Sequence, residues 1–311
     1  MKKLLITGAL GHIGSKIIHS ISPGDFDTVV MVDNLSTQRY CALFALPEGV
    51  NFQFIDQNIL EIDMCALINN VDVVIHLAAI TDASSSFERR QEVEQVNHKG
   101  TEKVAEACAA NGAKLIFPST TSVYGSQSQV VDESCPNDDL KPQSPYAEYK
   151  LKSEHMLAEM GETHGLDFVT CRLGTIFGPS PGMRFHTAVN KFCWQATLGQ
   201  PLTVWKTAMD QKRPYLGIND AVRAINFVIN SQLFDRQTYN VISSNNTVSE
   251  VVTLIERIID VKISLVDAEI MNQLSYHVLS DKLSALGFRP TDNLAAEIEK
   301  TLALLNMSTN R

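Results

Sequence analysis

Tyr146 and Lys150 lie four residues apart in the middle of the chain, and their side chains could share one proton-transfer site. Residues at this spacing occupy one face of a helix, so a helix here would direct the phenol and the ammonium group to the same place. A phenol has a pKa near 10, and a neighbouring cation lowers that pKa toward neutrality. The pair therefore predicts a general acid and base. Taken alone, the pattern is more typical of an exposed pair on an amphipathic helix, so the rest of the chain must decide.

A glycine-rich turn near the N-terminus has the pattern of a dinucleotide-binding motif. A short apolar strand is predicted at 3–7 (KLLIT), and Gly-x-x-Gly-x-x-Gly follows at 8–14. The glycines permit close approach of the backbone to a pyrophosphate, and the start of the next helix attracts its charge. A second apolar strand at 28–32 ends in Asp33, which could bond both ribose hydroxyls and would repel a 2′-phosphate, favouring NAD over NADP. The alternatives are an ordinary strand–helix turn, or NADP with Arg39 near its phosphate.

Apolar strands and amphipathic helices alternate along the first half of the chain. Such alternation predicts an α/β protein with a doubly wound parallel sheet, similar to the Rossmann fold. Ligands of these sheets bind at the carboxyl ends of the strands. The motifs that follow predicted strands are the glycine turn, Asp33, Leu77-Ala78-Ala79 and Ser119-Thr120. Further strands are predicted at 51–55, 71–77, 114–117 and 167–172, and helices at 88–111 and 145–164.

The composition limits the classes of partner. The chain has 311 residues, of which 44% are hydrophobic and 20% charged, as in a globular protein. Its net charge of −9 argues against nucleic-acid binding, and a phosphorylated ligand would need locally concentrated positive groups. Six scattered cysteines and histidines without ligand-like spacing argue against a metal site and a disulfide scaffold. No apolar run of about 18 residues is present, and the apolar start is too short for a signal peptide, so we expect a cytoplasmic protein without a membrane span.

With these motifs in order, the chain resembles the extended short-chain dehydrogenase/reductases. Within that family it is most similar to the nucleotide-sugar epimerases and dehydratases, especially the UDP-sugar 4-epimerases, over nearly its whole length. The segments that carry the resemblance are Gly8-x-x-Gly11-x-x-Gly14, 32–36 (VDNLS), 76–79 (HLAA), 97–101 (NHKGT), 119–125 (STTSVYG), Tyr146-x-x-x-Lys150, Arg172 with Gly178-Pro179, Arg213 with Asp220, and 239–241 (YNV). The resemblance implies NAD as the cofactor and a nucleotide-diphosphate sugar as the substrate.

The resemblance also implies roles for the matching residues. Tyr146 would be the catalytic acid and base, Lys150 would hold the nicotinamide ribose and lower the pKa of Tyr146, and Thr120 would hydrogen-bond the sugar hydroxyl that becomes a carbonyl. Besides Tyr146 and Lys150, the implied cofactor-binding residues are Gly8, Gly11, His12, Ile13, Gly14, Asp33, Asn34, Asn58, Ile59, Leu77, Ala78, Ala79 and Asn97. The implied substrate-binding residues are Ser86, Thr121, Tyr124, Thr175, Thr203, Trp205 and Arg213. Arg213 would grip the diphosphate, and an exposed arginine without a ligand is the alternative.

Departures from the family pattern reduce the number of reactions that the chain could catalyse. The 4,6-dehydratases of the family carry Asp and Glu where this chain has Thr121 and Ser122, and the decarboxylases usually carry Glu at the position of Ser122. Hydroxyl side chains cannot do that acid–base work at their ordinary pKa values. The reaction that remains is epimerisation at C4 through a transient 4-keto sugar. Asn58 stands where the family often has Asp, and it keeps a hydrogen-bond acceptor for adenine without the charge. Thr175 stands where the family often has Asn, and it can still donate a hydrogen bond to the substrate but has a shorter reach.

Three alternatives remain open at this level. A 4-keto-sugar reductase would use the same tyrosine and lysine but would consume NADPH. A dehydratase with unusual acid and base residues would release one water. A non-enzymatic dinucleotide sensor on the same fold is the third alternative, and the presence of Thr120, Tyr146 and Lys150 argues against it, because a sensor does not need them.

The C-terminal part is expected to form a second, smaller lobe. Residues 1–178 are predicted to form the NAD-binding domain with the catalytic residues, and residues 179–311 mainly the nucleotide-sugar lobe, from which some segments return to the first domain. The turn-rich sequence GPSPG at 178–182 predicts a hinge. A helix is expected at 185–198 and a short strand at 201–205 (PLTVW).

The two long helices predicted around Tyr146 and before the fifth strand could also bind a second copy. Family members often pair these helices in a four-helix bundle, so the resemblance implies a homodimer. The apolar residues Val104, Ala105, Leu151, Met156 and Leu157 could serve either the core or that interface.

Overall fold

The computed structural model describes residues 2–125, 130–267 and 275–309. The strands are β1 (Lys3–Thr7), β2 (Thr28–Asp33), β3 (Phe52–Asp56), β4 (Val73–His76), β5 (Lys114–Thr120), β6 (Val130–Val131), β7 (Phe168–Leu173), β8 (Thr175–Phe177), β9 (Leu202–Trp205), β10 (Lys212–Gly217), β11 (Thr238–Val241), β12 (Ser244–Thr247), β13 (Ile263–Val266) and β14 (His277–Val278). The helices are α1 (His12–Ile18), α2 (Met64–Ile68), α3 (Arg90–Val93), α4 (Gly100–Asn111), α5 (Pro145–Thr163), α6 (Ala188–Thr197), α7 (Ile218–Asn230), α8 (Val248–Glu256), α9 (Asp281–Ala285) and α10 (Leu294–Thr309).

A seven-stranded parallel sheet in the order β11-β7-β5-β4-β1-β2-β3 forms the centre of the molecule. From β1 the chain builds outward through β2 and β3, then crosses back to β4 and builds in the other direction. Strand order therefore reverses between β1 and β4, and this switch point is where doubly wound sheets bind ligands. The predicted fold class, an α/β protein with a doubly wound parallel sheet, is confirmed.

Both faces of this sheet are covered by apolar side chains. In β1, Leu4 faces the cluster that contains Ile17 of α1 and Val222 of α7, whereas Leu5 faces the cluster that contains Leu157 of α5. Successive strand residues point to opposite faces, so an uninterrupted apolar strand is what a sheet buried on both sides requires. This burial fixes the strand ends, and therefore fixes the side chains that follow them.

The C-terminal residues form a second apolar core and also return to the main sheet. A three-stranded sheet of β12, β10 and β8 lies beside the parallel pair β13 and β9, and α6, α8 and α10 pack in one cluster with them. β11 is the edge strand of the main sheet, next to β7. None of the helices in the described ranges combines the length and apolar character needed to cross a membrane.

The helix predicted at 88–111 contains a change of helical type. α3 and α4 are joined by the π-helical turn Glu94–Lys99, and Asn97 in this turn is fully buried. The Asn97 side chain donates to the Ile80 carbonyl oxygen at 2.8 Å and accepts from the Ile80 N–H at 2.8 Å. Such π-turns often occur at functional sites. Here the turn holds the loop that follows β4.

Candidate active site

The first turn of α5 positions the predicted proton-transfer pair. Ser144 caps the helix, because its hydroxyl accepts from the Ala147 N–H at 3.3 Å, and Pro145 occupies the first helical position. Tyr146 is thus in the first turn and Lys150 one turn later, and both side chains line one cleft above the sheet.

The Lys150 ammonium group is held at the end of β5. Its Nζ donates to the Pro118 carbonyl oxygen at 2.7 Å and lies 4.5 Å from the centre of the Phe117 ring. Burial lowers the pKa of Lys150 to about 7, although the carboxylate of Glu154 opposes the shift. Lys150 can therefore change its charge near neutral pH.

This pKa predicts how stability depends on pH. The unfolded chain keeps the ordinary lysine pKa of 10.5, so it binds more protons than the folded protein between about pH 7 and that value. The contribution of Lys150 to the free energy of unfolding should therefore rise with pH across this window. The test is urea unfolding of the NAD-free wild type and of Lys150→Met at about pH 6 and about pH 9.5. The free energy of unfolding of the wild type, minus that of the variant, should be larger at the higher pH. A difference that stays constant would contradict the assigned pKa.

Tyr146 lies beside Thr120 and near Arg184. Burial raises the pKa of the Tyr146 phenol above its usual value, while the positive charge of Arg184 and a hydrogen bond with Thr120 act in the opposite direction. The sequence-based expectation of a lowered pKa is wrong for this structure, because burial outweighs the neighbouring charge. The cation that acts most strongly on the phenol is Arg184 rather than Lys150.

A buried ion pair supports the helix face behind Lys150. The Glu154 carboxylate accepts from Arg172 at 2.6 and 3.1 Å, and the Ser119 hydroxyl also donates to it. The Arg172 guanidinium lies 4.9 Å from the centre of the Tyr124 ring. These contacts tie α5 to the carboxyl ends of β5 and β7.

The glycine turn fits a dinucleotide. Gly8 has φ of +67°, and a Cβ atom added there would lie 2.6 Å from the Ala78 nitrogen, so the turn packs directly on the end of β4. The two Asp33 oxygens accept from the Leu10 and Leu35 N–H groups at 3.0 Å each, and carboxylate oxygens keep further lone pairs for ribose hydroxyls. A close-packed turn, a helix start and a fixed carboxylate are the parts that hold NAD in such folds.

Most of the predicted cofactor residues line one half of the cleft. Those that do so are Gly8, Gly11, His12, Ile13, Gly14, Asp33, Asn34, Asn58, Ile59, Leu77, Ala78 and Ala79. Asn97 lies behind this half, where it holds the backbone of Ile80.

Gly8→Ala should cost more than the same change at Gly112. Both glycines have nearly the same φ, +67° and +68°, so the backbone strain of about 1–2 kcal/mol is common to both. At Gly112 nothing lies within 4 Å of the added Cβ, whereas at Gly8 the methyl would meet Leu77 and Ala78. We expect Gly8→Ala to lower the free energy of unfolding by about 1–3 kcal/mol more than Gly112→Ala, as measured in urea. Gly8→Ala should also weaken NAD binding in a titration. Equal losses in the two variants would contradict this packing.

The other half of the cleft has a volume of about 330 Å³, in the range of ligand pockets. The predicted residues that line it are Thr120, Tyr146, Lys150, Thr175, Thr203, Trp205 and Arg213. Arg213 donates to Gln211 at 2.8 Å and lies 5.7 Å from the centre of the Tyr276 ring, and burial lowers its pKa.

Three predicted substrate residues lie behind the cleft instead of lining it. Tyr124 is 1% exposed and donates to Asn240 at 2.8 Å. Thr121 is buried and donates to the Leu173 carbonyl oxygen at 3.4 Å. Ser86 is fully buried, and its hydroxyl accepts from the Tyr146 N–H at 3.4 Å. Thr121 and Ser86 therefore support the lining residues Leu173 and Tyr146 from beneath, whereas Tyr124 belongs to the core.

Several polar residues of the cleft were not predicted from the sequence, and four of them have ionisable side chains near the substrate half. Asp82, His186 and Lys191 line the substrate half, and Arg184 lines both halves. Their positions in loops and at the start of α6 give no periodic signal. The basic side chain that follows the GPSPG turn was the one available indication of Arg184.

Comparison with known proteins gives concordant similarities. A model of the NAD dependent epimerase/dehydratase family matches residues 4–241. An uncharacterised UDP-glucose epimerase of Bacillus subtilis (strain 168) is 32% identical over 267 residues, which cover 82% of each chain. The dTDP-D-glucose 4,6-dehydratase of Bos taurus is 28% identical over 97% of this chain and 88% of that protein. A mutant UDP-glucuronic acid 4-epimerase from Bacillus cereus, solved with UDP-4-deoxy-4-fluoro-glucuronic acid and NAD, has a TM-score of 0.91 at 25% identity and covers 98% of this chain and 99% of that one.

Proposed function

Because the chain belongs to the NAD-dependent epimerase/dehydratase family, we propose that it epimerises a nucleotide-diphosphate sugar at C4, with NAD as its cofactor and a 4-keto sugar as the intermediate. The observation that carries this proposal is that Thr120, Tyr146 and Lys150 line the substrate half of a cleft whose other half has the parts of a dinucleotide site. This arrangement supports a general acid and base at the point where cofactor and sugar would meet.

The residues of the chain would move and hold the proton of the reaction. Bound NAD would supply the acceptor and donor of the C4 hydride. Tyr146 would take the proton of the 4-hydroxyl group and later return it, and Thr120 would hydrogen-bond the same oxygen. The positive charge of Arg184 would stabilise the phenolate during this step. Holding the sugar beside these groups supplies much of the rate by proximity.

Basic and hydroxyl side chains in the substrate half support the binding of a nucleotide diphosphate. We propose that Arg213 and Thr175 bind the phosphates, and that Thr203 and Trp205 lie near the base. In this arrangement residues 1–178 would hold NAD and residues 179–311 would hold most of the nucleotide sugar. The sugar would turn about its bond to the diphosphate, so that hydride could return to its other face. Uridine is the proposed base, because similar proteins are UDP-sugar epimerases.

Dehydration and 4-keto reduction remain the competing reactions. A relative of this chain is a dTDP-D-glucose 4,6-dehydratase. Removing water from a sugar requires an acid and a base beside the reacting carbons. At the two positions next to Thr120 this chain has Thr121, whose hydroxyl is turned toward Leu173, and Ser122, which lines the cleft. Hydroxyl groups favour epimerisation over dehydration here.

The proposal is tested by mixing the purified protein with a panel of UDP-, dTDP- and GDP-sugars, without added cofactor, and following the sugar ring protons by NMR. Interconversion of two 4-epimers would support an epimerase and identify its substrate. Formation of a product that lacks one water would support a dehydratase. No conversion in the panel, but reduction of a 4-keto sugar with NADPH, would support the reductase.

We also propose that the protein is a homodimer through a four-helix bundle of α4 and α5. Val104, Ala105 and Leu157 are used by the core, whereas Met156 and Ala109 on the same helices are only partly buried and would lie in the bundle interface. Exposed carboxylates such as Glu106 and Glu159 would repel one another across this interface. Sedimentation should give twice the chain mass of 34.4 kDa, and the monomer mass at every salt concentration would contradict the dimer.

A further inference from the structure

Residues 178–184, which we call the strap, connect β8 to the loop before α6 and lie against the glycine turn. The His12 ring nitrogen Nε2 is 2.8 Å from the Gly178 carbonyl oxygen. The Ser180 hydroxyl donates to the His12 carbonyl oxygen at 2.9 Å, and the Gly182 N–H donates to the Ser15 hydroxyl at 2.8 Å. These hydrogen bonds fix the strap to the start of α1.

Gly182 brings the strap into direct backbone contact with the glycine turn. A Cβ atom added at Gly182 would lie 2.6 Å from the Gly11 carbonyl oxygen and 2.8 Å from the Ser15 hydroxyl. No larger residue fits between strap and turn without displacing one of them. The strap therefore packs on the glycine turn although it lies more than 160 residues along the chain from that motif, and its residue Arg184 lines the cofactor half.

Arg184 at the end of the strap has hydrogen-bonding capacity that the protein does not use. It lines both the cofactor half and the substrate half of the cleft. Its Nε atom is buried and has no hydrogen-bond partner in the described part of the chain. A buried guanidinium nitrogen left without a partner is costly, so an oxyanion in the cleft is the expected partner.

The other arginines of the cofactor half, Arg39 and Arg89, each have an acidic neighbour. Arg39 lies near Asp33 at the end of β2, and its Nη1 atom is 4.0 Å from the position of a Cβ atom added at Gly11, so it lies beside the glycine turn as well. Arg89 makes two hydrogen bonds with the Glu92 carboxylate at 2.6 and 2.8 Å. In a chain of net charge −9, a pyrophosphate needs a positive group close by, and Arg184 is near the glycine turn through the strap.

We propose that Arg184 binds the pyrophosphate of NAD, and that the strap thereby closes the cofactor into the cleft. This inference rests on NAD as the cofactor in the proposed function. The glycine turn would hold the pyrophosphate through backbone N–H groups, and Arg184 would add a charged side chain. The substrate diphosphate is the competing partner, but Arg213 and Lys191 line the substrate half alone, whereas Arg184 is shared between the halves.

The test is the release of NAD from purified holoprotein, followed by exchange against excess deuterated NAD. We expect Arg184→Gln to release NAD about ten- to hundred-fold faster than the wild type, since a charge-assisted hydrogen bond is lost. Arg90→Gln removes the same charge from an exposed ion pair with Glu148 and should leave the release rate within about twofold. Arg184→Lys keeps the charge without the fork and should give an intermediate rate, which separates loss of contact from loss of folding.

Titrations with simpler probes locate the contact. Arg184→Gln should weaken the binding of ADP-ribose, which contains the pyrophosphate, as strongly as the binding of NAD. The Kd for UDP should stay within about twofold of the wild-type value. An unchanged rate of NAD release would overturn the proposal, and so would weaker binding of NAD with unchanged binding of ADP-ribose. Weaker UDP with unchanged NAD would assign Arg184 to the substrate and would also overturn it. A wild type that binds NAD but converts no nucleotide sugar would contradict the proposed function and would leave this test unaffected.

Discussion

Tyr146→Phe is expected to lower kcat by about a hundred- to ten-thousand-fold and to leave NAD binding unchanged. The change removes only the phenolic oxygen, which is the proposed site of proton transfer. The ring remains to fill its place beside Thr120, so the geometry of the cleft should persist. Turnover of the nucleotide sugar found in the NMR panel measures the first effect, and NAD titration measures the second.

Tyr149→Phe is the matched control for this experiment. Tyr149 is on the same helix and is buried, but its ring lies 6.4 Å from that of His98 and does not line the cleft. Loss of the Tyr149 hydroxyl group should change kcat by less than about threefold. Retained activity in Tyr146→Phe, or equal losses in the two variants, would contradict the acid–base role of Tyr146.

Arg172→Met is expected to lower the free energy of unfolding by about 3–5 kcal/mol. The Arg172 and Glu154 side chains are 7% and 5% exposed, so the variant would leave a carboxylate buried without its cation. Urea unfolding of wild type and variant gives the difference directly.

Two further variants decide whether burial causes this loss. In the double variant Glu154→Met with Arg172→Met, no buried charge remains, and most of the lost stability should return. Arg89→Met breaks an ion pair whose side chains are 47% and 52% exposed, and it should cost at most about 1 kcal/mol. If Arg172→Met cost no more than Arg89→Met, the buried pair would not have the importance assigned to it.

Strand-end motifs made the cofactor half of the cleft predictable from the sequence. Each motif follows an apolar strand, and parallel strands bring their carboxyl ends to one edge, so local pattern and topology agree at Gly8, Asp33 and Leu77. The same reasoning placed Thr120 and Tyr146 together, because one ends β5 and the other begins α5.

Residues beside these motifs were harder to place because local turns decide which way they point. The short helical turn Thr121–Tyr124 directs Thr121 and Tyr124 into the core, although both adjoin Thr120 in sequence. Arg184 depends on contacts between the strap and Ser15, which no local pattern contains. The pKa of Tyr146 was mispredicted for a related reason, since spacing reveals a nearby cation but not the extent of burial.

The central claim is that C4 of the sugar is oxidised and reduced again within one site, and an isotope label at that carbon tests it most directly. The substrate would carry deuterium at C4, and the reaction would run in ordinary water without added NAD. The account predicts that both 4-epimers retain deuterium at C4, because the same hydride leaves and returns. Replacement of the label by solvent hydrogen, or its transfer to another carbon with loss of water, would contradict the account.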